Sequence, residues 1–408
     1  MHQVAESVTL ALSAIWSSKL RSFMTVLGNI VAVTSIVTVV SLIQGMNAMV
    51  SSAIVSDIGA DSFSIQRRPP IRTEEEDELH RNNPLVTRNE ADAVRRIGTA
   101  IKAVMVSAEN GGNVTYQDQV VERVRVTGVS AEYLEFSRYN ADGAGRMMSA
   151  IEVERNRPVA IIGPELATAI FGPLTPIDKV IKVGGLPFRI VGVSKAQGSF
   201  FGNSQDNFVI MPLGLQQKIF GSRQSLLITV KPTSPEVIQQ AMDEATVALR
   251  VERRLRGTRI NNFGIFTSDT ILGLYRQATT GIFAVLVGVV ALSLVVGGIV
   301  IMNIMLMVVS ERTREIGLRK ALGAKRRDIM WQVLTESVTL STFGGIVGIA
   351  LGFLLSRLIA TLSPLPATLE LWSVALGLVI TSAVGLFFGA YPAHRAASLD
   401  PIDALRSE

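Results

Sequence analysis

The chain has 408 residues, of which 48% are hydrophobic and only 18% are charged, and its formal net charge is +5. It contains no cysteine, which excludes disulfides, a thiolate nucleophile and a cysteine metal site. Its three histidines, His2, His80 and His394, are far apart in sequence, which argues against a histidine cluster. The basic residues lie beside long apolar runs, so the positive charge indicates membrane orientation rather than nucleic-acid binding.

The amino-terminal part of the chain predicts two helical segments. Before the first long apolar run, apolar residues recur at helical spacing, at Val4, Val8, Ala11, Leu12 and Ile15. This spacing predicts an amphipathic helix over 1–21 on the inner membrane face, and a simple extension of the first span is the alternative. The run Ser22–Ser56 is too long for the core of a signal peptide, so we expect transmembrane helix 1 over 22–45 as a signal anchor.

Residues 46–275 have the composition of a soluble domain and predict a mixed α/β fold. Two β-α-β units, over 57–110 and 222–268, are expected to flank an inserted subdomain over 111–221. The predicted strands of these units are Phe63–Gln66, Ala103–Ser107, Leu226–Val230 and Phe263–Thr267, and the predicted helices are Asn89–Ile97 and Pro235–Leu249. Alternating residues predict further strands in the insertion at Glu122–Val129, Lys179–Val183 and Phe188–Val193.

Two irregular stretches of this domain carry distinctive residues. The stretch Arg67–Pro84 contains Pro69, Pro70 and the acidic run Glu74–Glu78, which predict a solvated loop, with a cation site as the alternative. The stretch Gly198–Gly202 places Phe200 and Phe201 between glycines. These two aromatic residues either fill the core of the inserted subdomain or contact an outer partner.

The second apolar run predicts a helix that is longer than a membrane is thick. No proline occurs between Ser268 and Ser310. A continuous helix over this stretch would be ~65 Å long, whereas the hydrocarbon core of a bilayer is ~30 Å thick. We therefore expect transmembrane helix 2 over 276–310, with an outer stalk that could couple the outer domain mechanically to the cytoplasm.

Two further spans are expected over 336–357 and 371–393. Four apolar runs of this length in one chain exclude a soluble protein. Within the third span, glycines recur at every fourth position, at Gly344, Gly348 and Gly352. Glycines at this spacing share one helix face and allow another helix to approach closely, so they predict helix packing.

Orientation follows from the charges of the short connecting segments. Segment 311–335, between the second and third spans, carries Arg312, Arg314, Arg319, Lys320, Lys325, Arg326 and Arg327. The connection between the last two spans carries only Arg357. The positive-inside rule therefore predicts that segment 311–335, the amino terminus and the tail 394–408 are cytoplasmic, and that residues 46–275 lie outside. Glu336 is then expected at the cytoplasmic boundary, with a functional acid inside the membrane as the alternative.

The chain contains none of the common catalytic motifs. It has no Gly-Lys dipeptide and hence no Walker A loop, no Gly-x-Ser-x-Gly and no His-Glu-x-x-His. No series of acids crosses the spans, as proton-coupled transport would require. We therefore expect neither enzymatic activity nor a cofactor or metal site in this polypeptide.

The segment Glu311–Ala324, ERTREIGLRKALGA, resembles the signature of FtsX-like ABC permeases, and their MacB-type branch in particular. Other stretches resemble the same family: Lys19–Gly28, Gly198–Gly202, Phe208–Pro212, Tyr391–Pro401 and Ile402–Leu405. Asp178 and Ala32 stand where the family often has glycine. MacB-type chains usually carry an ATPase domain ahead of the first span, whereas this sequence begins close to that span, so a separate ATPase subunit is expected.

The resemblance implies a polytopic helical membrane protein with four spans and a mixed α/β extracytoplasmic domain of two subdomains. It implies a permease subunit in the bacterial inner membrane that forms a homodimer or pairs with a second permease. ATP and Mg would be bound by the partner ATPase and not by this chain. Further expected partners are membrane lipid and, in a tripartite pump, a periplasmic adaptor and an outer-membrane channel, but not nucleic acid. ATP-driven motion would be transmitted through long helices to the outer domain.

The resemblance also suggests that segment 311–335 couples the permease to its ATPase. The residues assigned to coupling are Glu311, Arg314, Glu315, Gly317, Leu318, Arg319, Lys320, Gly323 and Ala324. The basic members would pair with acids of the ATPase, and the two glutamates would accept from its basic residues. Gly317 and Gly323 would permit a close backbone approach or a helix end. The alternative is an ordinary basic loop beside the lipid headgroups.

Three classes of function fit these features. The first is export of drugs, peptides, lipids or lipoproteins, including lipoprotein release. The second is signalling, in which the outer domain activates a partner such as a cell-wall hydrolase. The third is a membrane-anchored binding protein without energy input. The large outer domain favours export over division-type signalling, and the coupling-like segment argues against the third class.

Overall fold

Long apolar helices and one large sheet make up most of the computed structural model, which describes residues 19–59, 61–69, 74–136, 144–200, 203–363 and 371–406. The helices are α1 (Lys19–Ile58), α2 (Glu74–His80), α3 (Arg88–Ile97), α4 (Ala150–Glu154), α5 (Pro164–Phe171), α6 (Leu213–Phe220), α7 (Ile238–Glu252), α8 (Ser268–Glu311), α9 (Thr313–Ala321), α10 (Arg326–Leu362), α11 (Leu371–Ser398) and α12 (Pro401–Arg406). The strands are β1 (Phe63–Gln66), β2 (Ile101–Tyr116), β3 (Gln119–Val129), β4 (Ala144–Gly145), β5 (Val159–Ile162), β6 (Val180–Val183), β7 (Leu186–Val193), β8 (Ser199–Phe200), β9 (Asn203–Ser204), β10 (Phe208–Pro212), β11 (Leu227–Pro232) and β12 (Gly264–Thr267).

Four of the described helices, α1, α8, α10 and α11, are long and apolar enough to cross a membrane. This confirms the four predicted spans. Helix α8 has 44 residues and the highest mean hydropathy of the four, 2.9 over its most apolar window. Its first turn is stabilised locally, because the Thr267 hydroxyl accepts a hydrogen bond from the Thr270 backbone N–H at 3.1 Å. The helix then continues without a proline to Glu311, as the sequence predicted.

The described residues form two compact units. One unit contains the residues up to Ala48 and those from Ala278 onward, and the other is Met49–Gln277. We call the first the helical unit and the second the α/β unit. The chain passes from one unit to the other inside α1 and again inside α8.

Both predicted β-α-β units are present in the α/β unit. Their four strands lie in the order β12-β1-β11-β2, and each neighbouring pair is antiparallel. Helices α3 and α7 cover these strands and share a buried core with them. This interleaved order is that of a ferredoxin-like β-α-β pair. A buried ion pair, Arg253–Glu90 at 2.6 Å, also joins α3 to the residue that follows α7.

The two predicted subdomains share one sheet. From β2 the sheet continues through β3, β10, β5, β7 and β4, while β6 pairs with β2 and β7. Sharing is possible because β2 has 16 residues and pairs with β11 along one part and with β3 and β6 along others. Successive residues of β5 and β10 belong to two different cores, so both strands are buried on both faces.

One prediction for this unit is wrong. The acidic run expected as a loop forms α2, Glu74–His80. Glutamate is a good helix former, and His80 lies in the last turn, where the helix dipole favours a positive group. Glu74 and Glu78 are exposed, so these two glutamates are solvated as predicted although they lie in a helix. Its Asp77 lies 3.9 Å from Arg68.

Candidate functional site: the charged segment between the second and third spans

The segment predicted as a coupling loop is largely helical. Helix α9 occupies Thr313–Ala321, and α10 begins at Arg326. The segment forms a helix because it is rich in Arg, Leu, Lys, Glu and Ala, all good helix formers. Glu315 in the first turn and Arg319 in the last complement the helix dipole.

A glycine turn ends α9 and starts α10. Gly323 has a φ of +103°, a left-handed conformation in which glycine has no steric penalty. The Gly323 N–H donates to the Lys320 carbonyl, and the Ala324 N–H donates to the Arg319 carbonyl, both at 3.0 Å. These two bonds define a Schellman motif. The sequence left two roles open for Gly323, a close backbone approach or a helix end. The structure shows the helix end, and Ala324 supplies the second hydrogen bond of the motif.

One face of α9 is exposed and carries charges of both signs. Arg314 and Glu315 are exposed, as is Glu311 at the end of α8. Leu318 adds an apolar side chain that is 53% exposed. The Arg319 guanidinium donates to Glu315 Oε1 at 2.6 Å, which is an i,i+4 pair on the helix surface. This face has the mixture of charged and apolar groups that can bind a complementary charged partner.

The opposite side of α9 is packed against the carboxy-terminal helices. Ile316 and Gly317 are buried. The Lys320 ammonium donates to the carbonyl of Ala397 at 2.7 Å and to that of Leu399 at 2.6 Å. Burial lowers the pKa of Lys320 from its ordinary value, and the Arg326 charge lowers this pKa further, whereas Asp400 opposes the shift. Lys320, assigned by sequence to the ATPase surface, therefore makes its hydrogen bonds inside this chain.

Glu336 and Gln332 of α10 hold this segment in place, and neither was predicted as its partner. Arg312 lies 3.4 Å from Glu336 Oε1, and Arg319 also donates to Gln332 Oε1 at 2.8 Å. The Glu336 side chain is only 16% exposed, so it needs a partner. The sequence does show an acid, Glu336, at the start of the third span and basic residues before it, which is the pattern of a possible ion pair. Which of the basic residues pairs with Glu336 depends on how α8 and α10 pack.

The glycine face of α10 lies against α1. A Cβ added at Gly348 would lie 2.9 Å from the Ile30 carbonyl oxygen, and one at Gly352 would lie 2.9 Å from Val37 Cβ. Gly344 is buried on the same helix. The close approach lets the Thr34 hydroxyl of α1 donate to the Gly348 carbonyl at 3.1 Å. Hydrogen bonds of this kind contribute to helix association in lipid.

Two further contacts between spans were not predicted. Gly28 of α1 and Gly297 of α8 approach so closely that a Cβ on Gly28 would lie 3.0 Å from Gly297 Cα. Asn29 Nδ2 donates to the Ser341 carbonyl at 2.7 Å. These contacts could not be predicted, because a single glycine or asparagine in an apolar run does not indicate which other helix it contacts.

Other sequence predictions have different outcomes. Asp178, at a position where the family often has glycine, has a φ of +62°, the backbone conformation that glycine adopts most easily. Ala32, the other such position, is fully buried on α1. Phe201 and the side chain of Phe200 lie outside the described residues, as does segment 1–18, so the predictions made for them stay predictions.

The comparisons with known proteins agree with this architecture. Residues 22–248 match the MacB-like periplasmic core domain, and residues 287–401 match the FtsX-like permease C-terminal domain. The uncharacterized ABC transporter permease YknZ of Bacillus subtilis is 30% identical over 99% of this chain and 99% of its own length. A macrolide export ATP-binding/permease protein MacB of Chlorobaculum tepidum is 34% identical over 98% of this chain and 61% of its own length.

The periplasmic region of MacB from Actinobacillus actinomycetemcomitans, a crystal structure, covers 54% of this chain and 95% of its own, with 19% identity and a TM-score of 0.45. The chain spans less than two thirds of the length of the MacB relatives it matches. It belongs to the family of MacB/FtsX-type ABC transporter permeases, and it is a membrane protein.

Proposed function

We propose that this chain is the membrane subunit of an ABC exporter. A separate ATPase binds the exposed face of α9, and its ATP-driven motion is transmitted to the α/β unit, which moves the substrate. ATP and Mg are bound by that ATPase, and this chain neither hydrolyses nucleotide nor binds a cofactor. The MacB relatives are named macrolide export proteins, which supports export as the activity.

The observation that carries this proposal is the continuity of α8. The helix starts at Ser268, directly after β12 of the sheet, and ends at Glu311, two residues before α9 begins. At 1.5 Å per residue its 44 residues extend ~66 Å, about twice the hydrocarbon thickness. A single unbroken helix between the sheet and the charged segment is suited to transmit a displacement from one to the other.

The orientation of the chain follows from its charges. Segment 311–335 holds seven basic residues, whereas Arg357, near the end of α10, is the only basic residue of the sequence between positions 336 and 370. The positive-inside rule favours a cytoplasmic α9, cytoplasmic termini and an extracytoplasmic α/β unit in a bacterial inner membrane. The proposed assembly contains two permeases with their ATPases, and a periplasmic adaptor and an outer-membrane channel if the host has an outer membrane.

A charge exchange tests the coupling face. Glu315→Arg combined with Arg319→Glu keeps the ion pair within α9 but inverts the charges offered to a partner. Exposed pairs contribute only ~0–1 kcal/mol to folding, so the chain should still insert and fold. Like charges brought together at an interface cost several kcal/mol, so the ABC ATPase that co-purifies with the wild-type chain should be lost, together with export activity.

The matched control exchanges a pair of similar exposure in the α/β unit, Lys102→Glu with Glu135→Lys, whose charged atoms lie 2.9 Å apart. This control should retain the ATPase. Retention of both the ATPase and export activity by the Glu315/Arg319 exchange would refute the proposed role of α9.

A further inference from the structure

Helix α9 makes a second contact, on the side opposite its charged face. Lys320 crosses to the carboxy-terminal end of α11 and donates to the carbonyls of Ala397 and Leu399. The last four carbonyls of a helix have no partner within it, and the helix dipole places a partial negative charge there. An ammonium group donates hydrogen bonds to these carbonyls and its positive charge is favourable beside the partial negative charge. Lys320 therefore caps α11 from a neighbouring helix.

The same side of α9 meets α12. A Cβ added at Gly317 would lie 2.7 Å from the Ala404 Cβ, closer than two carbons can approach. Ala404 is 2% exposed. The absence of a side chain at Gly317 therefore lets α9 and α12 pack backbone against backbone at this point.

The residues at the start of α12 stabilise its first turn, which carries Ala404 into this contact. Asp400 precedes the helix and accepts a hydrogen bond from the Ile402 N–H at 2.9 Å, as a helix N-cap does. Pro401 occupies the first helical position, where its fixed φ is favourable. The Ala404 N–H donates to the Asp400 carbonyl at 2.9 Å, which closes the first turn. Ala404 thus faces α9 from a well-capped turn.

We propose that Lys320 and Gly317 are positioning residues that hold α9 on a support formed by the end of α11 and by α12. The charge of Lys320 is used within the chain and does not contact the ATPase. Residues 393–406 are then part of the coupling apparatus, because they fix the position from which α9 passes on the motion of the ATPase. This inference rests on the proposed function, in which an ATPase binds the other face of α9.

Reciprocal substitution at the close contact tests the support. Gly317→Ala adds a methyl group against Ala404, and Ala404→Gly removes the methyl group that it meets. Gly317→Ala alone should reduce the response of the α/β unit to ATP by about 5-fold to 150-fold, the usual range of coupling between sites. The double variant should recover most of the response. Alanine is a better helix former than glycine, so a loss in Gly317→Ala cannot come from a weaker α9.

The response is measured on the complex of the full chain with its ATPase in lipid nanodiscs. The chain has no cysteine, so Asn113→Cys provides a single exposed site in the α/β unit for a fluorophore. The signal is the change in fluorescence when MgATP is added. Gly257→Ala, in the loop after α7 and outside α8 and α9, is the matched control, because a Cβ there would meet no described atom within 4 Å, and it should behave as the wild-type chain does.

Lys320 is tested by comparing two substitutions in the same complex. Lys320→Met removes the donors and should abolish most of the ATP response while the ATPase still co-purifies. Lys320→Arg keeps a charged donor and should retain a measurable response. Loss of the ATPase from Lys320→Met, to the extent seen with the Glu315/Arg319 exchange, would make Lys320 an ATPase contact and overturn the proposal.

Two further outcomes would contradict either the proposed support of α9 or the proposed function. A wild-type response in Gly317→Ala, or a double variant no better than Gly317→Ala, would show that the α9–α12 contact does not support coupling. A wild-type chain that retains no ATPase and shows no ATP response would instead contradict the proposed function itself. The two failures are therefore distinguishable.

Discussion

The Glu152 carboxylate accepts hydrogen bonds from Arg146 and Ser149 at the start of α4. The Arg146 guanidinium donates to both of its carboxylate oxygens at 2.8 Å, and the Ser149 backbone N–H donates to it at 2.8 Å. The hydrogen bond from Arg146 is the main cause that lowers the pKa of Glu152 to about 2, against the opposing effect of burial. The side chain is only 14% exposed, so solvent screens this pair less than a surface pair.

This cluster predicts a pH-dependent loss of stability. Because the pKa in the folded state lies below the ordinary glutamate value of about 4.3, the carboxylate stabilises the fold above that pH and less as the pH falls toward 2. Glu152→Gln should lower the local stability around α4 by about 1–2 kcal/mol at pH 7. The difference from the wild-type chain should shrink steadily between pH 5 and pH 2.

Hydrogen exchange of residues 149–162 in the full chain measures this difference at each pH. Glu154→Gln is the control, because Glu154 lies exposed on the same helix and should change little. A Glu152→Gln effect that stays constant down to pH 2 would show that the ionised carboxylate is not the stabilising group.

At the scale of elements, the packing of α1 against α10 depends on missing side chains. Gly348→Val should therefore destabilise the helical unit, because its Cβ would lie 2.9 Å from both the Ile30 carbonyl oxygen and Val33 Cβ. Overpacking of this kind costs about 1–3 kcal/mol. Thermal unfolding of the detergent-solubilised chain, followed by its intrinsic tryptophan fluorescence, should show a lower melting temperature.

Gly288→Val is the matched control for this substitution. It places the same side chain in a span where a Cβ would have no described atom within 4 Å, so it should leave the melting temperature nearly unchanged. Equal effects of the two substitutions would mean that valine acts through helix propensity and not through the contact with α1.

For the whole molecule, orientation is the property that the proposed function depends on most. The chain lacks cysteine, so single cysteines can be introduced without background. Asn113→Cys and Thr233→Cys, both exposed in the α/β unit, should react with a membrane-impermeant thiol reagent in intact spheroplasts. Lys325→Cys, exposed between α9 and α10, should react only after the membrane is opened. The reverse pattern would place α9 outside and exclude an ATPase partner in the cytoplasm.

Much of the fold could be predicted from local pattern. The four spans follow from long apolar runs, because each helix satisfies its own backbone hydrogen bonds within one segment. The continuity of α8 follows from the absence of proline. The two β-α-β units follow from the change between the alternating apolar pattern of a strand and the 3.6-residue apolar period of a helix. The helix end at Gly323 could also be predicted locally, because it involves residues only a few positions apart in the chain.

The tertiary structure decided which residues meet. Whether Lys320 faces a partner or caps α11 depends on the packing of α9 against segments 77 and 79 positions further along the chain. The pairs Gly317–Ala404, Arg312–Glu336 and Gly28–Gly297 likewise join separate helices, and the shared sheet joins both subdomains through β2. Local periodicity specifies which face of an element is apolar, but not which other element covers it. That choice depends on the packing of all the elements together, which no single segment contains.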